Sequence, residues 1–481
     1  MRGLRSKAMR HSGRIIQIAR IAAVCIAFLL FSGTALKVFA EPENNWSLDA
    51  DGDRVAMPIA YSAEKTVDYF GEGIGSLSNA QDLFYRNGKL YVADSKNTRI
   101  LVLNMDLECE LVIKGDNLPF NNPQGVFASE NGDIYVADMN NGRIVHFDSA
   151  GSPVQAYSQP YSELYDVSYV FKPVKLCINS VGQFFIINYE DYHGFIVMDK
   201  SGEFKGYVAP TKVESSLLDK LVEFLATEEQ KEQLEQKLPP VHTNCFMDDS
   251  GAVYVTTSRT TSEQLQKFLS YGSNIFPYTG SCGSGLEKSQ IADVSVSKDG
   301  IITLLESDSG LIYQYDPNGT MICSFGGTGN WKGTFMSASS ICEDEDGNFY
   351  VLDAGTDTIT VWKPTSFIKK VHSALGLLNE GRYTESMDLW EEVLKIDRNY
   401  FVARVGIGKA YMRLKEYDKA IEQYRIAGYK AGYSDAYAQL RRKFFREHFG
   451  LVVAAVLLLI VGIYELVHFA SRYARRLAKK M

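Results

Sequence analysis

A short phrase recurs along this chain and constrains its fold more than any other feature. It is a turn glycine, an alternation of apolar residues and a closing polar residue. The clearest copy lies in Asn122 to Asp148, NPQGVFASENGDIYVADMNNGRIVHFD, which reads as two strands joined by an Asn-Gly-Asp turn and then a third strand. Alternation over 4–8 positions, interrupted by turn residues, is what a half-buried antiparallel meander requires. The turn glycines Gly88, Gly132, Gly182, Gly251, Gly300 and Gly347 follow at spacings of 44, 50, 69, 49 and 47 residues. A single unit of this length leaves both faces of its sheet uncovered and becomes stable when neighbours pack on it. Six copies predict a mostly β chain built as a six-bladed β-propeller with four strands per blade.

Six residues after each glycine stands Asp94, Asp138, Asn188, Thr257, Glu306 or Asp353, ending the second strand. There a side-chain oxygen is expected to accept backbone N–H bonds of the following loop. Five to seven residues further on, Arg99-Ile100, Arg143-Ile144, Phe195-Ile196, Leu311-Ile312 and Thr358-Ile359 open the third strand. The order glycine, Tyr-Val-Ala-Asp, short loop, Arg-Ile resembles the NHL repeat family. Blades one and two carry it closely, whereas blade six has Thr358 in place of the arginine and blades three to five depart further. The resemblance implies the propeller over residues 65–367 and is silent on activity. Its repeat-defining residues are Gly88, Asp94, Gly132, Asp138, Gly182, Asn188, Gly347 and Asp353. Residues 66–73 are similar to 323–329, so the former are expected to complete blade six and close the ring. The 69-residue spacing contains an insert at 211–240 with helical periodicity.

Beyond Pro364 the composition turns to helix formers. Residues 367–400 and 401–434 are offset by 34 positions, with Tyr383 matching Tyr417 and Trp390 matching Tyr424. Gly408, Tyr411, Tyr417, Ala420, Tyr424 and Ala427 alternate small and aromatic residues where two helices cross, which looks like the tetratricopeptide (TPR) repeat. The resemblance implies a small all-α TPR-like segment with a capping helix over 368–448, either a peptide-binding groove or a rigid stalk. Phe449–Ala470 is apolar enough to be a single transmembrane helix, followed by the basic tail 471–481.

At the other end, a basic region, the apolar run Ile21–Phe31 and Val38-Phe39-Ala40 have the layout of a signal peptide ending at residue 40. Residues 41–64, with the acidic run Asp49 to Asp53, read as a flexible linker. The first 40 residues carry seven basic side chains and no acid and the last 41 a net +7, which leaves residues 41–440 at −22 within a whole-chain charge of −8. So acidic a middle repels phosphate backbones and excludes nucleic acid as a partner. The expected place is the cell membrane, single pass, with the bulk of the chain extracytoplasmic.

In a propeller, side chains from different blades converge at the axis. The histidines of the expected exported part are His146, His193, His242, His372 and His448, with His242 at the inner edge of blade four. Carboxylates and amides able to approach the axis are Asp166, Asp293, Asn188 and Glu306. A divalent cation, the only cofactor considered, would use His242, Asp293 and Glu306, as in a metal-dependent lactonase, lyase or glycan-acting enzyme of the propeller type. No GxSxG, HExxH, P-loop or EF-hand phrase occurs. The reading that follows is a non-catalytic recognition or scaffold module for a protein or glycan outside the membrane, with a transporter or envelope complex as its setting.

Overall fold

The computed structural model describes residues 45–478 except 116, 161, 167, 212–224, 226–238, 259, 261, 270, 271, 278, 279, 281 and 284–288. The expected signal peptide and all but the ends and Leu225 of the expected helical insert lie outside the described residues.

Six antiparallel meanders form the propeller. Blade one runs through Asp82–Arg86, Lys89–Asp94, Arg99–Leu103 and Cys109–Ile113. Blade two runs through Pro123–Ala128, Ile134–Asp138, Arg143–Phe147 and Pro153–Tyr157. Blade three comprises Pro173–Ile178, Phe184–Asn188, Phe195–Met198 and Phe204–Val208. Blade four has three strands among the described residues, His242–Met247, Ala252–Thr257 and Leu265–Leu269. Blade five begins with Ile291–Val296, Ile302–Glu306, Leu311–Tyr315 and Met321–Gly326. Blade six holds Ala338–Glu343, Phe349–Asp353 and Thr358–Pro364. Each first strand touches the first strands of both neighbouring blades, and that of blade six touches that of blade one. The ring is therefore closed around an axis lined by six first strands.

Closure is made by Tyr61–Val67, which pairs with Thr358–Pro364 and places Thr66 opposite Thr360. The strand starts at Tyr61, earlier than residue 66, because Tyr61 is itself a core residue stacked on Phe325 at 4.5 Å. The linker expected at 41–64 is corrected as well. Trp46–Leu48 and Arg54–Ala56 form a hairpin that extends blade five, with Trp46 opposite Ser324. Trp46 is buried against Tyr313, and the Arg54 guanidinium lies 4.3 Å over its ring. The acidic run between the strands is the turn, in which Asp49 Oδ1 accepts the N–H groups of Asp51 and Asp53. One aromatic anchor suffices where an open sheet edge offers backbone partners.

The polar residues that end the second strands work across the blade junction more than along it. Asp94 accepts Ser78 N–H at 2.8 Å, Asn97 Nδ2 and Arg99 Nε. Asp138 accepts Asn121 N–H at 2.7 Å, Asn141 Nδ2 and Arg143 Nε. Asn188 accepts Lys172 N–H, and Asp353 accepts Met336 and Ser337 N–H. Each donor backbone belongs to the connection arriving from the previous blade. The side chain ties that connection to its own blade and only secondarily bonds the following loop. Gly88, Gly132, Gly182 and Gly347 hold φ between 72° and 88°, the left-handed turn conformation that favours glycine.

Six helices follow: α1 Ser366–Asn379, α2 Tyr383–Ile396, α3 Phe401–Arg413, α4 Tyr417–Ile426, α5 Lys430–Glu447 and α6 Phe449–Ala478. From α1 to α5 each packs on the next. A Cβ on Gly408 would lie 2.4 Å from the Tyr424 ring, and one on Gly406 would lie 2.5 Å from Trp390, so both glycines permit close crossings. Ala420 is fully buried beside Tyr424, Tyr411 packs against the same cluster, and Ala427 follows the end of α4. The segment is not a detached stalk. Phe367, Ile368, Val371, Trp390 and Ile407 share one core with Tyr61, Ile322, Phe325 and Phe349 of blades five and six. Tyr400 donates from its hydroxyl to Ile322 O at 2.8 Å, and Lys409 reaches Asp316 at 3.4 Å. Burying one face of α1 against the blades removes apolar area from water at about 25 cal/mol per Å² and joins α1, α2 and α3 to the propeller through one core. In α6, Phe449–Arg476 is long and apolar enough to cross a membrane, and none of the described residues covers it.

Candidate binding site at the propeller axis

In blades two to six the pairing of the first strand slips after its second residue, a β-bulge at the same place in each. A bulge re-aims the side chain next to it. The third residues are Gly125, Lys175, Asn244, Asp293 and Ser340, and Asp82 starts the corresponding strand of blade one. These six positions form one ring.

The Lys175 ammonium pairs with Asp82 Oδ1. Asp82 Oδ2 accepts Val126 N–H at 2.8 Å, where a Cβ on Gly125 would strike Val174 O at 2.5 Å. Asp293 Oδ1 accepts Asn244 Nδ2 and Val294 N–H, both at 2.6 Å. Its Oδ2 accepts Ser340 Oγ and Ile341 N–H. Ser340 in turn accepts Leu83 N–H, and Asn244 Oδ1 accepts Cys245 N–H. All five side chains are buried. Burial pushes the Asp293 carboxyl well above the usual carboxylate range, opposed by the Lys175 ammonium and reinforced by Asp82. Every carboxylate oxygen in the ring has a donor, and the central positive charge is a lysine. The set does not fit a divalent cation, whose place among the oxygens the ammonium already takes.

The two other candidate metal ligands lie elsewhere. His242 Nε2 donates to Ala209 O at 2.7 Å, its Nδ1 accepts the Thr257 hydroxyl at 3.0 Å, and its ring stacks on Phe195. Glu306 accepts the hydroxyls of Tyr313 at 2.6 Å and Ser309 at 2.7 Å, from the third strand of its own blade and the loop before it. Among the described residues no group of three His, Cys, Asp or Glu side chains is placed to hold a metal ion. Of the other residues considered for the axis, Asn188 ties down its blade's incoming connection. Asp166 is a half-buried loop residue that bonds Ser168. Sequence reasoning found Asp293 but missed its ring. The signal was present: Gly125, Lys175, Asn244, Asp293 and Ser340 each stand seven residues before a turn glycine, and Asp82 stands six before Gly88.

Next to the ring, on the side of the turns between first and second strands, opens a cavity of about 1460 Å³. Its floor includes Asp82, Lys175, Asn244 and Asp293, and α1 supplies part of its wall through Lys369, His372 and Ser373. The lining holds ten acidic side chains against five basic ones. Glu343 stands out because its Oε2 is buried without a hydrogen-bond partner. Burial, then the carboxylates of Asp344 and Asp299, push its carboxyl up to about 8.

That value gives a stability prediction with a definite sign. A carboxyl raised on folding makes the folded chain hold the extra proton, so stability falls as pH rises through the interval. His242 and His372 act oppositely at lower pH, because burial pulls both down to about 4 and their folded forms stay neutral. Their contribution grows from about pH 4 and is complete by about pH 6.5. Among the described groups with a shifted titration, the raised carboxyls Asp293 and Glu343 are those that act between about pH 6.5 and 8. Thermal melts are expected to drop across that window in the native chain and to flatten in Glu343→Gln. An equal slope in both would assign the titration to another group.

Comparison with known proteins adds the following. The NHL repeat model matches residues 120–147, within blade two. None of the curated proteins matches the chain. Among solved structures, a streptogramin B lyase is similar at 14% identity and a TM-score of 0.39, covering 67% of this chain and 87% of its own. The β-propeller domain of Cps50 (Swd1) from Myceliophteria thermophila is similar at 10% identity and a TM-score of 0.42, covering 63% and 100%. A Bacteroides thetaiotaomicron protein of unknown function is similar at 13% identity and a TM-score of 0.45, covering 65% and 79%. Both a lyase and a protein with no assigned activity are thus in the set, and no activity passes from either to this chain.

Proposed function

We propose that this chain is a membrane-anchored, extracytoplasmic recognition or scaffold module whose partner, a protein or glycan, docks at the cavity face of the propeller. The observation that carries the reading is the axial ring. Its carboxylates are neutralised by Lys175 and by hydrogen bonds from within the protein, which leaves a formed cavity without a free ligand set beneath it. The acidic lining favours partners that present cationic groups, since opposite potentials steer encounter. In this reading α1 to α4 are a pair of TPR-type repeats and α5 their capping helix, serving as a rigid arm that sets the propeller's height over the membrane. The setting is an envelope or transporter complex, α6 is the single span, and the segment before residue 41 is the export signal.

Elemental analysis of the full chain in detergent, with and without chelator, tests the non-catalytic part. The expected result is no stoichiometric divalent metal and an unchanged melting temperature. One metal per chain, with a large loss of stability on chelation, would replace this reading with the metal-dependent enzyme. Cross-linking in native membranes then identifies the partner.

A further inference from the structure

Residues 441–447 of α5 are exposed on every side, an unusual state for a helix that carries Phe444 and Phe445 at 53% and 47% exposure. Tyr433 and Tyr437 are also exposed, at 38% and 52%, and they stack on one another. At the helical rotation of about 100° per residue, Tyr433, Tyr437, Phe444, Phe445 and His448 fall within one third of the circumference. His448 stacks on Phe444 at 4.5 Å and extends this face to the end of α5. Arg442, Lys443 and Arg446 fall on the opposite side, and Arg441 lies within the aromatic third. None of the four cations has a carboxylate partner among the described residues. In water this arrangement leaves the aromatic area uncovered, while the four charges are hydrated and open to an anionic partner. One residue later the apolar helix α6 begins, and the backbone carries on through it with Val452 N–H donating to His448 O.

We propose that residues 433–449 lie in the headgroup layer of a membrane and bind anionic phospholipid there. The aromatic face sits at the boundary with the acyl chains and the four basic side chains hold lipid phosphates. The inference rests on α6 being a membrane span, because that span brings α5 to the interface. Rings of Tyr and Phe are most stable at that depth, half in hydrocarbon and half in the wet layer. Guanidinium groups match phosphate oxygens with paired donors, and each basic residue near an anionic surface strengthens association by roughly fivefold. The acidic cavity lining repels the same headgroups. Attraction is therefore localised to α5, and the propeller is kept off the bilayer.

The full chain is reconstituted into vesicles of phosphatidylcholine alone or of phosphatidylcholine with phosphatidylglycerol. Backbone hydrogen exchange is followed over residues 437–447, and flotation of the chain with each vesicle is scored in parallel. The expected result is flotation in both lipids, with exchange slowed at least tenfold further when phosphatidylglycerol is present. The combined substitution of Arg441, Arg442, Lys443 and Arg446 by Gln should abolish that extra protection and leave flotation intact. Equal exchange in the two lipids overturns the anionic preference while leaving the span standing. The same protection in detergent with inorganic phosphate alone would also overturn it, by making the ligand a free anion. A chain that fails to float in either lipid removes the membrane reading itself and this inference with it.

Discussion

Replacing Lys175 with methionine is expected to destabilise the propeller by about 3–5 kcal/mol, the cost of leaving a buried charge pair broken. For a chain of this size that is a drop on the order of 10 °C in melting temperature. Methionine is unbranched and only one atom shorter than lysine, so lost volume is a minor part of the effect. What is lost is the ammonium that faces Asp82, whose Oδ1 then retains only Ser340 at 3.3 Å, within a ring where Asp293 is also buried. Adding Asp82→Asn to the same chain should restore a substantial part of the loss, because a neutral amide no longer needs a counter-charge. A Lys175→Met variant melting within about 1 kcal/mol of the native chain would mean that the axis is held by hydrogen bonds alone. The double substitution separates the two cases, since it gains nothing if charge was never the issue.

The second large effect is expected at Asp94. Asp94→Ala removes the acceptor for Ser78 N–H, Asn97 Nδ2 and the nearly buried Arg99 guanidinium in one step. The expected loss is about 3 kcal/mol, with most of it due to the guanidinium, which keeps Ile74 O and Ser76 O as acceptors but loses its counter-charge. Blade three supplies an internal control. Asn188 ties its incoming connection with an amide, and Phe195 takes the place of the arginine. Asp94→Asn should therefore cost less than Asp94→Ala, and Asp94→Asn combined with Arg99→Phe less again, as chemical denaturation would measure. If alanine is tolerated as well as asparagine, the connection between blades is fastened by packing and not by this side chain.

Much of the architecture was legible because it is local. A glycine in a left-handed turn, an alternation of apolar residues and a polar strand end are all set by a few neighbouring residues, and their recurrence counts the blades. The closing strand could be read for the same reason, as a copy of an outer strand lacking a blade of its own. The hairpin at 46–56 could not. Its single strong anchor, Trp46, finds a pocket made by Tyr313 and Arg54, and an acidic turn looks like any acidic linker. Likewise His242 looked like a ligand because a histidine at an inner strand edge has that chemistry. Only the structure places Ala209 O and the Thr257 hydroxyl on its two nitrogens.

What the sequence by itself determined is therefore the repeat, the blade number, the way the ring closes, the helical character after Pro364 and the apolar run at 449–470. These follow from periodicity and turn chemistry, which act over a few residues. Only the tertiary structure decided that five of the six first strands slip at the same place and that Asp82, Lys175, Asn244, Asp293 and Ser340 meet on one another. It also decided that α1 docks on blades five and six and walls the cavity beside Glu343. Those partners lie 47 to 258 residues apart along the chain. Whether a buried carboxylate faces an ammonium, an amide or nothing depends on which distant strand arrives beside it, and local pattern carries no record of that meeting.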